Sequence, residues 1–273
     1  MTLPLVTVMI CTYNGERYLG ATLDSVLAQT YANMEVVVVD DGSRDTTLSI
    51  VQRYAEGDSR ISWFARENVG LPASRNFAFT KARGEWIAII DQDDLCYVDR
   101  LQRQIAVTEA NPSSGLVFSD CDYINEVGEI IGSHLISFSL PDSFIRQGVA
   151  ANLLISQGCY SGSAVCLIKR STVDRLMPLD ESLLYACDYE YFIRAGFEVD
   201  FAYSPDALGA ARMHAGQATR TNLNRFKEIR SVLSEYYSDD RVTAKTRLLI
   251  VWKLIRSFVA EGYHRARRLR VKP

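Results

Sequence analysis

Three short apolar runs end abruptly in polar clusters, and this pattern limits the possible folds more than any other feature of the sequence. The runs and the clusters that follow them are Val6–Cys11 with Thr12-Tyr13-Asn14, Val36–Val39 with Asp40-Asp41, and Trp86–Ile90 with Asp91-Gln92-Asp93-Asp94. Short β-branched runs of this kind are typical of buried strands. Apolar residues at helical spacing between them predict helices over 16–29, 43–54 and 72–83.

Alternation of strands and helices predicts a mostly parallel sheet with helices on both faces. Further strands are predicted at Ile61–Phe64, Leu116–Phe118, Ala164–Ile168 and Val199–Tyr203, with a helix over Leu183–Ala195. The fold class is therefore α/β. We expect one domain over 1–220, divided into halves 1–115 and 116–220, and a helical tail over 221–273. Ligands of such sheets bind at the carboxyl ends of the strands, where the three polar clusters should converge.

The composition is that of a soluble globular protein, with 48% apolar and 23% charged residues. Six cysteines without a C-x-x-C pair favour buried free thiols in a reducing compartment. The first residues lack the features of a signal peptide, and no stretch reaches the roughly 18 apolar residues of a spanning helix. We therefore expect a cytoplasmic location.

The net charge of −3 is unevenly distributed along the chain. Residues 241–273 hold ten Lys or Arg and one acid, a charge of +9, so residues 1–240 carry −12. An acidic body argues against nucleic acid as a partner. The tail has an apolar face, from Leu248 to Val259, bordered by basic residues. Two interpretations stay open: a peripheral helix on an anionic membrane, or a helix that packs on the domain or in a homodimer.

Three carboxylates within four residues, Asp91, Asp93 and Asp94, repel one another unless a positive charge lies among them. Mg²⁺ or Mn²⁺ would neutralise them, because these cations take oxygen ligands and bridge to phosphates. The alternative is a solvated acidic turn that caps the next helix. The two other polar strand ends nearby favour the metal.

These segments, together with Gly42-Ser43, Arg75-Asn76 and Gly84-Glu85, occur in an order and spacing that resemble the nucleotide-sugar-binding half of inverting family 2 glycosyltransferases of GT-A fold. The resemblance covers residues 4–105 tightly and 155–215 loosely. It implies a metal-dependent enzyme that uses a UDP- or dTDP-sugar.

The resemblance also implies roles around the donor. Thr12, Tyr13 and Asn14 would line the nucleotide pocket, and Glu16 and Asp91 would contact the ribose. Asp41 would accept a hydrogen bond from the N3–H of uracil or thymine, with helix capping as the alternative for Asp40 and Asp41. Arg75 would approach the diphosphate, and Asp93 would ligate the metal.

A second acidic centre, Asp188, matches the general base of the family, an Asp at the start of a helix and before an aromatic residue. Cys187 stands where Glu is common, and a helix-capping Asp is the alternative. Arg212-Met213-His214 matches an Arg-x-His motif, so His214 could complete the metal shell. Gly158–Ser163 is where acceptors usually dock, unless it is a plain turn.

The resemblance and the site residues together predict an inverting transferase that moves a sugar to a saccharide or lipid-linked acceptor in bacterial cell-surface glycan assembly. The Gln-x-x-Arg-Trp signature of processive members is absent from the sequence, which favours transfer of one or few sugars. Two rival functions are a nucleotidyltransferase that forms nucleotide sugars and a non-catalytic sugar- or membrane-binding scaffold. The first should have a Gly-rich, Lys/Arg-bearing phosphate loop after strand one, which Thr12–Arg17 is not.

Overall fold

The computed structural model describes residues 3–134, 144–158, 165–217 and 224–270, and its strands join in one mixed sheet. The strands are β1 Val6–Thr12, β2 Met34–Asp40, β3 Ile61–Ala65, β4 Trp86–Asp91, β5 Leu95–Cys96, β6 Ser114–Ile124, β7 Ile130–His134, β8 Phe144–Ile145, β9 Cys166–Lys169 and β10 Asp200–Arg212. The order across the sheet is β3-β2-β1-β4-β9-β6-β10-β5, with β7 paired to β6 and β8 to β10.

The first half of the sheet is parallel and the second half is mixed. Strands β3, β2, β1 and β4 are mutually parallel. Strand β9 then runs antiparallel to both β4 and β6, whereas β10 is parallel to β6. The mostly parallel mixed sheet predicted from the sequence is therefore confirmed.

Helices cover both faces of the sheet, as the strand–helix alternation predicts. They are α1 Leu19–Leu27, α2 Thr47–Gly57, α3 Leu71–Lys81, α4 Arg100–Ala110, α5 Val149–Gln157, α6 Arg170–Leu176, α7 Cys187–Glu198, α8 Asn224–Tyr237 and α9 Ala244–Arg270. Helices α1, α2 and α4 pack on one face. Helices α3 and α5 to α9 pack on the other, where they bury the larger core.

Two predicted strands were too short, and several elements were not predicted. Strand β6 extends to Ile124 rather than Phe118, and β10 extends to Arg212 rather than Tyr203. Shifts of register in β10 around Ala207 interrupt the period-two pattern that marks a strand. The extension of β10 affects the candidate site, because the strand ends at Arg212, two residues before His214. Of the acceptor loop expected at Gly158–Ser163, residues 159–163 lie outside the described residues.

The C-terminal part of the chain is helical, as expected, from Asn224 in α8 to Arg270 in α9. Among the helices that the structure describes, none is long and apolar enough to cross a membrane.

One buried cation connects α4 to the sheet. The guanidinium of Arg100 is fully buried and donates to the carbonyl oxygens of Ile89, in β4, at 3.1 Å and of Cys166, in β9, at 2.9 Å. It also donates to Gln104 Oε1 at 3.2 Å. These bonds hold the strand that ends at Asp91 against its antiparallel neighbour.

We expect Arg100→Met to lower the free energy of unfolding by roughly 2–4 kcal/mol, because buried carbonyl groups lose their donors. Urea denaturation measures the change. The matched control is Arg103→Met, one helical turn further on, whose side chain is 42% exposed. It should cost no more than about 1 kcal/mol, and equal losses in the two variants would contradict the assignment.

Candidate active site

The polar clusters meet at one edge of the sheet, because the strands that carry them end in register. Cys11 of β1 pairs with both Val39 of β2 and Asp91 of β4. The residues that follow these positions therefore lie side by side at the carboxyl ends of the strands, as the strand pattern predicts. Strand β10 and the start of α7 bring His214 and Asp188 to the same edge, through the contacts described below.

The loop after β1 is held by a residue from the loop after β4. Gln92 Oε1 accepts hydrogen bonds from Thr12 Oγ1 at 2.6 Å and from the Tyr13 N–H at 2.9 Å, and Gln92 Nε2 donates to the Tyr13 carbonyl. A side chain at Gly15 would lie 2.3 Å from Gln92 Oε1, so a larger residue there would displace Gln92 from these hydrogen bonds. The Tyr13 side chain stays 42% exposed at this edge.

Asn14 and Glu16 face the loop before α2. Asn14 has a φ of 48°. Its N–H donates to Ser43 Oγ, and its Oδ1 accepts from the Arg44 N–H. Glu16 Oε2 accepts from both the N–H and the hydroxyl of Thr46. Glu16 thus fixes the loop before α2. Its expected contact with a ribose stays a prediction.

Asp41 organises the loop that precedes α3. Its Oδ1 accepts from the Val69 N–H at 3.0 Å and from Ser74 Oγ at 2.7 Å, and its Oδ2 accepts from the Gly70 N–H at 2.9 Å. These bonds satisfy two backbone donors in the loop just before Leu71, the first residue of α3. They differ from an N-cap of the helix itself, and the expected contact of Asp41 with a base stays a prediction. Gly42 follows with a φ of 77°, and a side chain there would lie 2.7 Å from the Asn68 backbone nitrogen.

Arg75 joins the two acidic centres of the chain. Its guanidinium is 2% exposed, and it donates to Asp91 Oδ1 at 2.7 Å and to Asp188 Oδ1. Burial alone would lower the pKa of Arg75, but the charges of Asp188 and Asp91 outweigh it and hold that pKa well above its usual value. Arg75 thus bridges carboxylates that are themselves 37% and 30% exposed. Its expected approach to a diphosphate stays a prediction.

Asp93 and His214 form the second pair of the site. Asp93 Oδ2 lies 2.8 Å from His214 Nε2. The His214 ring packs on the Tyr18 ring, with centroids 5.0 Å apart. Burial and the nearby charge of Asp91 raise the pKa of Asp93, although the bond to His214 opposes them.

Asp94 is buried and points to the backbone of β10. Its Oδ1 accepts from the Arg212 N–H at 2.9 Å, while Arg212 Nε donates to the Asp93 carbonyl at 2.9 Å. Burial, then the charges of Asp91 and Asp93, raise the pKa of Asp94 well above its usual value. Asp94 therefore connects the acidic turn to the strand that carries His214.

The Asp93–His214 pair fits a divalent cation in part. No group of three His, Cys, Asp or Glu side chains within the described ranges has the arrangement of a metal centre. Carboxylate oxygen and imidazole nitrogen are nonetheless suitable ligands for Mn²⁺ or Mg²⁺, which commonly take their remaining ligands from phosphates and water.

The first turn of α7 holds Asp188, and two residues to which the sequence analysis gave no role hold the segments around it. Glu228 of α8 accepts from the N–H groups of Tyr185 and Ala186 at 2.7 and 2.9 Å. Asn76, next to Arg75, donates to the Leu179 carbonyl and accepts from the Leu179 N–H.

Sequence reasoning missed Glu228, which lies 40 residues beyond Asp188 in a polar helix and has no local signal. Gln92 lies within the acidic cluster that the sequence analysis identified, but that analysis considered only the carboxylates on either side of it.

Residues 7–164, more than half of the chain, match the family model described as glycosyl transferase family 2. Among curated proteins, one described as an uncharacterized glycosyltransferase of Rickettsia typhi is 28% identical over 235 residues, which cover 85% of this chain and 71% of that protein. Glycosyltransferase GlyA of Streptococcus pneumoniae is 38% identical over 158 residues, which cover 57% of this chain and 21% of that protein.

Solved structures show the same fold at low sequence identity. S. aureus TarS 1–349 in complex with UDP-GlcNAc has a TM-score of 0.73 and 20% identity, covering 98% of this chain and 76% of that chain. The mannosyltransferase PcManGT of Pyrobaculum calidifontis, in complex with GDP-Man and Mn²⁺, has a TM-score of 0.68 and 20% identity, covering 97% and 76%. The expected GT-A architecture is confirmed.

Proposed function

This chain is a glycosyltransferase of family 2, and we propose on that premise that it moves one sugar, with inversion, from a UDP- or dTDP-sugar to a saccharide or lipid-linked saccharide. The reaction uses Mn²⁺ or Mg²⁺ and serves cell-surface glycan assembly. The observation that carries the proposal is the contact of Arg75 with both Asp91 and Asp188, beside the Asp93–His214 pair. One edge of the sheet thus holds a donor-side acid, a metal ligand pair and a separate acid for the acceptor.

The donor nucleotide lies over the loops after β1 and β2 in this proposal. Tyr13 offers an exposed ring on which a base can stack. Asp41 Oδ2 accepts one backbone hydrogen bond and has a further lone pair for the N3–H of uracil or thymine. Asp91 is half-exposed at the end of β4, where it can accept from a ribose hydroxyl.

Asp188 acts as the general base. Its carboxylate takes the proton of an acceptor hydroxyl as that oxygen bonds to the anomeric carbon, and the bond from that carbon to the diphosphate breaks on the opposite side. Arg75 donates to both this carboxylate and Asp91. It therefore fixes the position of the acid on the acceptor side relative to the acid on the donor side. Arg75 thus has a positioning role in this proposal, and the approach to the diphosphate that the resemblance implied stays a prediction.

Asp93 and His214 would hold the metal ion. What a bound Mn²⁺ or Mg²⁺ supplies is positive charge against the leaving diphosphate. Tyr18 orients the imidazole by ring contact, and Asp94 anchors β10 behind it.

The two rival functions predict different behaviour. A nucleotidyltransferase would release pyrophosphate from a nucleoside triphosphate and a sugar phosphate. It would also have a glycine-rich phosphate loop after β1, whereas the turn Thr12–Gly15 is held by the Gln92 side chain. A scaffold without catalysis would bind UDP without regard to metal. The proposal is tested by calorimetric titration of UDP with and without Mn²⁺. Affinity that rises with Mn²⁺ supports it, and equal affinity in EDTA contradicts it.

Glu228 gives a prediction specific to this chain. We expect Glu228→Ala to lower kcat about tenfold with little change in the donor KM, because two N–H groups before α7 lose their acceptor and Asp188 is less well held. Glu228→Gln keeps an acceptor oxygen and should retain most of the activity. Steady-state kinetics with a UDP-sugar donor measures both.

The control for this prediction is Glu235→Ala, an exposed acid on the same helix, which should leave kcat unchanged. Equal effects of the alanine variants at 228 and 235, or a rise in donor KM with unchanged kcat, would contradict the positioning role.

A further inference from the structure

Helix α9 presents an exposed row of apolar side chains, here called the apolar stripe. It consists of Leu248, Val251, Trp252, Ile255, Phe258 and Val259, which are 41–74% exposed. Their spacing of three and four residues places them on one face of the helix. The opposite face is buried against α5 and α8, as shown by Ile250 at 0% and Glu261 at 6% exposure. The stripe therefore faces away from the protein.

The charge around the stripe is strongly positive. Residues 241–273 carry +9, and five of their ten basic residues follow Glu261. Arg256 lies over the Trp252 ring at 4.4 Å, which places a cation beside an exposed aromatic residue. Apolar residues on one face with basic residues around them are the pattern of a helix that lies in a bilayer interface.

We infer that the apolar stripe docks on an anionic phospholipid bilayer, with α9 lying in the plane of the interface. A second copy of the chain would bring two tails of +9 together and leave their charge unbalanced, whereas an anionic surface neutralises it. The body of the protein carries −12 and is repelled by the same surface. The protein therefore binds the bilayer through the tail alone, and the domain takes one orientation relative to the membrane surface.

Two contacts made by the packed face of α9 connect this helix to the elements that hold Asp188. Lys253 Nζ donates to the carbonyl of Ile155, which also accepts from Tyr189, the neighbour of Asp188. Further along α9, Glu261 pairs with Arg230 at 2.7 Å, two residues after the Glu228 that caps α7.

An acceptor anchored in the bilayer would thus reach Asp188 from the docked face, a consequence that rests on the proposed function. The docking itself does not require it.

Vesicle flotation of the full chain tests the docking. Wild type is expected to float with vesicles of phosphatidylcholine and phosphatidylglycerol, to float far less with phosphatidylcholine alone, and to be released by high salt. The triple variant Leu248→Ser, Ile255→Ser, Val259→Ser should bind at least about tenfold more weakly, because it loses apolar area that enters the interface. These side chains are exposed, so the fold should be kept, which circular dichroism checks.

The control removes three scattered exposed aliphatic residues instead, Leu3→Ser, Val98→Ser and Val127→Ser, and should bind like wild type. Equal binding by the stripe variant and wild type would overturn the inference, as would the absence of any flotation. A lipid-free dimer that the stripe variant dissociates would also overturn it, in favour of self-association. None of these readouts depends on sugar transfer, so failure of the docking and failure of the proposed function are distinguishable.

Discussion

Asp188→Asn should reduce sugar transfer by roughly 10²–10⁴-fold while the affinity for UDP stays that of wild type. The amide cannot take a proton from the acceptor hydroxyl, which removes general base catalysis. Its oxygen can still accept from Arg75, so the buried guanidinium keeps a partner. Steady-state transfer rates and calorimetric titration of UDP measure the two effects separately.

The structure makes asparagine a sharper test than alanine. Asp188→Ala would leave Arg75, which is 2% exposed, with Asp91 as its remaining partner in the bridge, and should cost roughly 1–3 kcal/mol of stability. A loss of activity in that variant would therefore mix chemistry with misfolding. Asp174→Asn, on the exposed side of α6, is the control and should transfer at the wild-type rate. Wild-type activity in Asp188→Asn would contradict the base assignment.

Asp93→Asn should remove the metal dependence of UDP binding and lower transfer by at least about a hundredfold. The amide keeps a hydrogen bond with His214 but has no charge for a divalent cation, so the charge that neutralises the diphosphate is lost. Titration of UDP with and without Mn²⁺ measures the first effect independently of any acceptor.

Asp94→Asn is the matched control, one residue away. Asp94 has a pKa well above its usual value because of burial and its acidic neighbours, and its oxygen accepts from the Arg212 N–H. A neutral amide can make the same contact, so the variant should retain Mn²⁺-dependent UDP binding. Loss of that binding in Asp94→Asn but not in Asp93→Asn would reverse the metal assignment.

The donor half could be predicted because its signals are local. Each strand of β1, β2 and β4 is a short buried run that ends in polar residues, and parallel strands bring those ends to one edge. The acceptor half was less predictable. Strand β10 contains register shifts, and the contacts of Glu228 and Asn76 join segments 40 or more residues apart.

The roles of single acids were also beyond sequence reasoning. Asp91, Asp93 and Asp94 are adjacent in sequence but face different partners, namely Arg75, His214 and the backbone of Arg212. Only their surroundings distinguish a bridging acid, the proposed metal ligand and a structural anchor. For Arg75, the sequence suggested a contact with phosphate. Its contact with Asp188 could not be predicted, because it depends on how α7 packs against α3.

The most direct test of the central claim needs no knowledge of the acceptor. The purified chain is incubated with UDP-, dTDP- and GDP-sugars, with Mn²⁺ or with EDTA, and the released nucleoside diphosphate is quantified. We predict slow hydrolysis of a UDP- or dTDP-sugar that requires Mn²⁺ and is lost in Asp93→Asn. Release that is equal in EDTA, or pyrophosphate formed from UTP and a sugar phosphate in place of donor hydrolysis, would contradict the account.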